Sequence, residues 1–161
     1  MAECMVRVAT RSPEETFAIG ARLGEALSRG DVVGLIGELG AGKTTLTRGI
    51  VRGLECPDWR RVNSPTYVLE QVYSGRLTVH HYDAYRITAE EEFLQLGFEE
   101  HLQEPAVLII EWADRVEACL PPERLIVGLE ADPTAERRRV LTFSGERGRW
   151  EERLDLLFRN V

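Results

Sequence analysis

The stretch GELGAGKTT, residues 37–45, contains residue types at a spacing that binds phosphate. It fits the pattern Gly-x-x-x-x-Gly-Lys-Thr, whose glycines let the backbone turn sharply and direct its N–H groups at an anion. The ammonium group of Lys43 is predicted to reach the outer phosphates of a nucleotide, and the hydroxyl of Thr44 to bind Mg²⁺. The predicted nucleotide contacts are Gly40, Ala41, Gly42, Lys43, Thr44 and Thr45.

Lys43 is the only lysine of the chain, and the other nineteen of its twenty basic residues are arginine. The two residue types are nearly equivalent on a solvated surface. They differ where a loop encloses the charge, because an ammonium is compact and a guanidinium is a wide plane. The lysine at this position therefore indicates a geometric requirement, and Lys43 is predicted to act in catalysis.

The segments on either side of the loop predict a strand followed by a helix. Residues 32–36 are a continuous apolar run, which is typical of a buried parallel strand. After the loop, Leu46, Ile50 and Val51 recur at helical spacing. This order places phosphates at a helix N-terminus, where unpaired N–H groups and the helix dipole favour anions. The sequence thus predicts binding of a nucleoside triphosphate.

Three polar residues are candidates for the remaining chemistry. Glu111 directly follows the apolar run 107–110, at the sheet edge where α/β proteins bind ligands, so we expect it to act with the metal; the alternative is an ordinary acid at a strand end. Asp83 follows another predicted strand and would align a water, hold a metal-bound water or pair with Arg86. Thr66 lies in the turn SPTY, which is comparable in position to loops that sense a γ-phosphate but by itself needs no function.

Other polar and aromatic residues give weaker signals. His80 and His81 alternate between the faces of a strand and have no nucleophile signature beside them, so structural roles are favoured for both. The run 137–139 of three arginines is typical of a charged strand end, although one arginine there could reach a nucleotide. The three tryptophans are too scattered in the sequence to predict a stacking surface.

The remaining pattern predicts an α/β fold. Strands are expected near residues 6–9, 67–73, 77–82, 107–110, 126–129 and 139–143. Ser12 and Pro13 indicate one helix start, a capping box at residues 88–91 begins a helix carrying Phe93 and Leu96, and residues 150–158 form a closing helix. We expect one domain, residues 1–161, with a P-loop NTPase-like three-layer fold. Its sheet is mainly parallel and includes an antiparallel hairpin whose strands are joined by Ser74 and Gly75.

Composition limits the environment and the partners. No apolar stretch approaches the roughly 20 residues that span a bilayer, so no membrane association is expected. Three cysteines without metal-ligand spacing predict reduced thiols and a cytoplasmic location. The net charge of −7 argues against a protein that binds nucleic acid unaided, although it allows contact through a partner.

Taken together, the motifs GELGAGKTTLTRG, NSPTYVL, HHYDAYRI, EEFLQLGFEEHL and IIEWADR resemble the TsaE family, formerly YjeE, in order and approximate spacing. The resemblance runs from about residue 15 to residue 120. It implies that Lys43 binds phosphate, that Thr44 and Glu111 hold Mg²⁺, that Asp83 is needed for hydrolysis and that Thr66 senses the nucleotide. It also implies base contacts from the N-terminal segment, near Ser12 and Thr16.

The resemblance further implies an ATPase that acts with TsaD and TsaB in threonylcarbamoyl transfer to the adenosine beside the tRNA anticodon. ATP and Mg²⁺ would be its cofactors, and tRNA would be reached only through the complex. One alternative is a small P-loop kinase acting on a small-molecule acceptor. A GTPase-type switch is disfavoured, because its guanine-reading Asn-Lys-x-Asp motif needs a second lysine.

Overall fold

The computed structural model describes residues 2–159, which form one seven-stranded sheet flanked by helices. The strands are β1 (Glu3–Thr10), β2 (Val32–Ile36), β3 (Glu70–Ser74), β4 (Thr78–Asp83), β5 (Ala106–Glu111), β6 (Leu125–Asp132) and β7 (Ala135–Glu146). The α-helices are α1 (Pro13–Ala26), α2 (Lys43–Gly53), α3 (Glu90–Leu94), α4 (Phe98–His101) and α5 (Arg147–Phe158). Two 3₁₀ segments span Trp59–Arg61 and Ala113–Cys119.

The sheet has the order β1-β7-β6-β2-β5-β4-β3 and confirms the predicted α/β class. Strands β6, β2, β5 and β4 form its parallel centre, and β3 and β4 form the predicted antiparallel hairpin. The antiparallel part also includes β7, which pairs with both β6 and β1, and the sequence did not predict this. The chain reverses direction between β6 and β7 in a tight turn. The Asp132 carboxylate stabilises this turn by accepting the Thr134 N–H at 2.8 Å.

Apolar residues cover both faces of the sheet. Alternate residues of β2 and β5, such as Val33 and Ile109, face the core beneath α1, α2 and α5. Their neighbours Val32 and Leu108 face a second core that contains Phe93 and other apolar residues of the α3–α4 region. This two-sided burial is why both strands read as continuous apolar runs.

Helices α1 and α2 pack closely through glycines at matching spacing. Gly20 and Gly24 of α1 face Gly49 and Gly53 of α2. A Cβ added to Gly24 would lie 2.2 Å from the carbonyl oxygen of Ile50, so only glycine allows this approach. The contact ties α1 to the helix that begins at the predicted phosphate loop.

Two local predictions were wrong. Residues 67–69 are a turn and not part of β3, because the Leu69 N–H bonds to the Pro65 carbonyl at 2.6 Å and Leu69 has a φ of 69°. The predicted capping box does not form: Ala89 is the N-cap, and the Thr88 hydroxyl donates to the Glu92 carboxylate at 2.7 Å. Helix α3 ends at Leu94, so Leu96 lies outside it.

Other local predictions were confirmed. Ser12 caps α1 by accepting the Glu15 N–H, and Pro13 is the first helical residue. The strands expected near residues 6–9, 126–129 and 139–143 form with longer bounds, as does the closing helix. Cys4, Cys56 and Cys119 are free thiols.

Within residues 2–159, no helix combines the length and apolarity needed to cross a membrane.

Candidate nucleotide-binding site

The phosphate loop connects the end of β2 to the start of α2. Gly40 and Gly42 have φ values of 81° and 108°, a region that residues with side chains rarely adopt. The first helical hydrogen bond of α2 runs from Leu46 N–H to the Gly42 carbonyl. The N–H groups of residues 43–45 therefore have no partner within the helix and are available to an anion. The local sequence thus builds the predicted loop and helix start.

Lys43 is enclosed by this loop, with 6% of the residue exposed. Its Nζ donates to the carbonyl oxygens of Gly37 and Glu38, the latter at 2.9 Å, and lies 4.3 Å from the centre of the Trp112 ring. Burial lowers the pKa of Lys43, and the carboxylates Glu111 and Asp83 oppose this shift. The site therefore holds a compact cation between backbone carbonyls and an aromatic face.

Trp112 directly follows Glu111 and has left-handed backbone angles, φ 58° and ψ 43°. A residue with a side chain pays about 1–2 kcal/mol for this conformation. Tyr85 packs against the Trp112 ring, with centroids 4.8 Å apart, and Lys43 lies over its face. The sequence did not indicate a role for Trp112. The three tryptophans lie far apart in the sequence, and nothing in their spacing predicts the contact with Lys43.

The structure brings the two predicted metal ligands close together. Thr44 Oγ1 lies 2.8 Å from Ser64 Oγ, and Ser64 donates to Glu111 Oε1 at 3.1 Å. Glu111 is the last residue of β5 and is 1% exposed. A hydroxyl and a carboxylate joined through one small hydroxyl are oxygen donors of the kind that Mg²⁺ prefers. The residues present therefore fit a magnesium site, and Ser64 is a site residue that the sequence showed only as part of a turn.

His81 orients the same carboxylate. Its Nε2 lies 2.6 Å from Glu111 Oε2, and the histidine is fully buried. Among the described residues, its Nδ1 has no hydrogen-bond partner. The structural role predicted for His81 is thus at the site itself, where it positions Glu111. The spacing in the sequence could have predicted this, because His81 and Asp83 are two residues apart and therefore share one face of β4.

Asp83 and Glu111 are register partners at the ends of adjacent strands β4 and β5. Asp83 Oδ2 accepts the hydroxyl proton of Thr66 at 2.8 Å, and Oδ1 accepts the Tyr85 N–H at 2.8 Å. The suggested pairing with Arg86 is absent from the described residues, since the Arg86 guanidinium lies over the exposed Tyr67 ring. The structure therefore couples the predicted switch threonine directly to the predicted hydrolytic carboxylate.

These groups share one cleft of about 340 Å³. Its lining includes Lys43, Thr44, Ser64, Thr66, Asp83, Glu111 and Trp112. A smaller pocket of about 260 Å³ shares loop residues with this cleft and is lined by Pro13, Thr16, Gly40, Gly42, Thr45, Glu136, Arg137 and Arg139. Both cavities contact the phosphate loop, so together they offer room for more than the phosphates.

The smaller pocket contains one of the two N-terminal candidates. Thr16 lines it and shares a hydrogen bond of 2.7 Å with Thr10, whereas the hydroxyl of Ser12 caps α1. Two arginines of β7 complete the pocket, and Arg139 donates to the Gly40 carbonyl at 3.4 Å. The arginine run noted in the sequence therefore reaches the phosphate loop.

Residues 10–140 match the family model described as threonylcarbamoyl adenosine biosynthesis protein TsaE. The chain belongs to the TsaE family. It is 42% identical over 140 residues to the tRNA threonylcarbamoyladenosine biosynthesis protein TsaE of Bacillus subtilis, an alignment that covers 86% of this chain and 85% of that protein. The TsaE protein of Treponema pallidum is 38% identical over 124 residues, which covers 77% and 90% of the two chains.

A solved structure agrees with this family assignment. The crystal structure of Bacillus subtilis YdiB superposes with a TM-score of 0.80 at 31% identity, and the match covers 99% of this chain and 97% of that one. The likeness extends across the sheet and its helices. The P-loop fold expected from the sequence is therefore confirmed.

Proposed function

We propose that this chain is a Mg²⁺-dependent ATPase of tRNA threonylcarbamoyladenosine biosynthesis. Two relatives that it matches over most of their length carry that pathway in their names. The observation that carries the ATPase proposal is the convergence of Lys43, Thr44, Glu111 and the Thr66–Asp83 pair on one cleft beside the phosphate loop. Phosphoryl transfer depends mainly on such positioning and charge.

The proposed roles follow from the contacts. Lys43 binds the outer phosphates, while the free N–H groups of residues 43–45 and the backbone at Gly40, Ala41 and Gly42 surround them. Thr44 and Glu111 would hold Mg²⁺, which when bound neutralises charge on the phosphate oxygens. His81 keeps the Glu111 carboxylate in place, because it bonds the oxygen that does not face Ser64.

Asp83 is proposed to orient the attacking water. Thr66 occupies one of its oxygens in the structure, so a nucleotide that draws the Thr66 hydroxyl towards a γ-phosphate would release that oxygen. This exchange makes Thr66 a switch residue of the proposed mechanism. The smaller pocket beside Thr16 is the proposed place for the nucleoside, with Ser12 supporting it as the cap of α1.

The proposed partners are TsaD and TsaB, and tRNA is reached only through them. The chain carries a net charge of −7, whereas non-specific affinity for nucleic acid comes mainly from neutralising phosphates with basic side chains. We expect purified protein to bind tRNA poorly at physiological salt. A cytoplasmic location and a single domain over residues 1–161 belong to the same proposal.

The decisive experiment is ATP hydrolysis by the purified chain with and without the TsaB–TsaD pair. Hydrolysis is expected to be slow alone and to rise when the partners are added. A Lys43→Ala protein measured in parallel controls for contaminating ATPases. Equal turnover alone and with the partners would contradict the proposed coupling. ATP consumption stimulated instead by a small-molecule acceptor, with phosphate transferred to it, would favour the kinase alternative.

A further inference from the structure

A second group of polar side chains lies outside the nucleotide cleft, where the β3–β4 hairpin meets α4. Glu70 of β3, His80 of β4 and His101 of α4 bring one carboxylate oxygen and two ring nitrogens within 4.8 Å of one another. His80 points away from the face of β4 that carries His81 and Asp83, because successive strand residues alternate in direction. The proposed ATPase function uses none of these three side chains.

The two imidazoles stack, and each has its Nδ1 beside the same carboxylate oxygen. Their rings stack with centroids 3.7 Å apart and an interplanar angle of 11°. The Nδ1 atoms of His80 and His101 lie 2.9 Å and 3.2 Å from the same oxygen, Oε2 of Glu70. Three potential donors from three separate elements therefore lie together, and a bound ion would require one ring to turn out of the stack so that both nitrogen lone pairs meet it.

A second carboxylate fixes the orientation of His80. Its Nε2 lies 2.8 Å from Oε2 of Glu104, on the side of the ring opposite Glu70. Histidines that bind metals usually donate their other ring N–H to a carboxylate or carbonyl in this way, which leaves a lone pair on the nitrogen facing the metal. His80 itself is 4% exposed, whereas the Glu104 side chain that orients it is 43% exposed.

The charge at this place is negative when both imidazoles are neutral. The Tyr82 hydroxyl hydrogen-bonds His101 Nδ1, so a bound ion would have to displace this hydrogen bond. Two carboxylates close together are surroundings that a divalent cation would neutralise.

We propose that Glu70, His80 and His101 form a binding site for a divalent transition metal, with Zn²⁺ as the best match. Two imidazoles and one carboxylate are a ligand set that Zn²⁺ accepts, and a water would complete four-coordination. Mg²⁺ fits poorly, because it prefers oxygen ligands. The bound ion would join the β3–β4 hairpin to α4 and so stabilise the edge of the sheet.

The same contacts have a metal-free explanation that the experiment must separate. A protonated His80 between Glu70 and Glu104 would satisfy both ring nitrogens without an ion. We would titrate Zn²⁺ into chelator-treated full-length protein by calorimetry. NMR spectra of the histidine ring nitrogens would be recorded in parallel, since the chain has three histidines.

The proposal predicts one equivalent of bound Zn²⁺ and a rise in Tm. The Nδ1 signals of His80 and His101 should shift, and the ring signals of His81 should not. The NMR result needs no variant, so it decides the question even if a substitution prevents folding. Absence of stoichiometric binding, or a shift confined to His81, would overturn the proposal.

Substitutions give an independent test. Glu104→Gln should weaken Zn²⁺ binding about 10–100-fold, which is the usual cost of removing an orienting carboxylate. Glu70→Gln and His101→Asn should weaken it more. The matched control is Glu99→Gln, an exposed acid of the same helix α4, which should leave the affinity unchanged. Glu111→Ala should also bind Zn²⁺ normally, because that carboxylate belongs to the nucleotide cleft; loss of binding in this variant alone would overturn the assignment.

Discussion

Replacing Lys43 by arginine keeps the charge and matches every other Lys or Arg position of the chain, yet we expect it to lower partner-stimulated ATP hydrolysis about 100-fold. The ammonium group is bracketed by the carbonyls of Gly37 and Glu38 and by the Trp112 ring, whose centre is 4.3 Å away. A planar guanidinium is wider and cannot replace it unless the loop or the ring moves. Trp112 has little freedom to yield, because its left-handed backbone is already strained.

The size of the effect follows from this enclosure. A displacement of about 1 Å in a positioned catalytic group costs roughly 100-fold in rate. At about 1.36 kcal/mol for each factor of ten, this is about 2.7 kcal/mol of lost transition-state stabilisation. The loss should appear in kcat at saturating ATP and Mg²⁺, because the altered contact is to the reacting phosphates.

The assay is ATP hydrolysis in the presence of the TsaB–TsaD pair, with Tm measured on the same samples. Arg52→Lys is the matched control, since Arg52 is an exposed residue of the same helix and the exchange runs in the opposite direction. This control should hydrolyse ATP within about twofold of the unaltered protein. A Lys43→Arg protein with normal Tm and near-normal turnover would refute the reasoning, because any cation would then suffice.

Three further predictions concern the metal, the helix contact and an ion pair. Glu111→Ala should raise the Mg²⁺ concentration needed for nucleotide binding about tenfold or more. Asp83→Ala should instead lower kcat about 100-fold with little change in nucleotide binding. Titrations of both variants with Mg²⁺ and nucleotide separate these effects, and normal hydrolysis by Asp83→Ala would contradict its role. Gly24→Ala places a Cβ 2.2 Å from a carbonyl oxygen and should lower the free energy of unfolding by about 1–3 kcal/mol. Each kcal/mol lost should lower Tm by roughly 2–4 °C. The control is Gly128→Ala, whose Cβ would meet nothing closer than 4.0 Å. Burial raises the pKa of Asp31, but hydrogen bonds from Arg153, Ser28 and Arg149 outweigh it and hold this pKa below the ordinary 3.8. The stabilisation is therefore complete above pH 3.8 and is lost as the pH falls through the lower folded pKa. Asp31→Asn should be about 3 kcal/mol less stable than the unaltered protein at pH 7, and this difference should shrink as the pH falls below 3.8. A constant difference across this range in urea unfolding would show that the charge is not responsible.

The phosphate loop was predictable from the sequence alone because its structure is decided by adjacent residues. Gly40 and Gly42 adopt backbone angles open to glycine, and the apolar run of β2 and the helical spacing after Lys43 specify what enters and leaves the loop. Strand ends also predicted Glu111 and Asp83, since parallel strands end at one edge of the sheet. These signals are all short-range or follow from a general rule of α/β sheets.

Only the tertiary structure showed which side chains act on these candidates. Ser64 reaches Glu111 across 47 positions of the chain, and His81 reaches it across 30. Trp112 meets Lys43 only because β5 lies beside β2. Such contacts depend on strand order, register and loop conformation, which no local pattern encodes.

The same distinction explains the errors in secondary structure. Residues 67–69 have the β-branched and aromatic character of a strand, but a hydrogen bond to Pro65 turns the chain before β3 begins. The capping pattern before α3 was equally local, and the Thr88 hydroxyl bonds the Glu92 side chain instead of the backbone. Sequence periodicity determined where the apolar strands and helices lie, because burial repeats with the geometry of each element. Packing between distant segments decided where their ends fall and which polar groups meet, because hydrogen-bond partners are chosen by proximity in space.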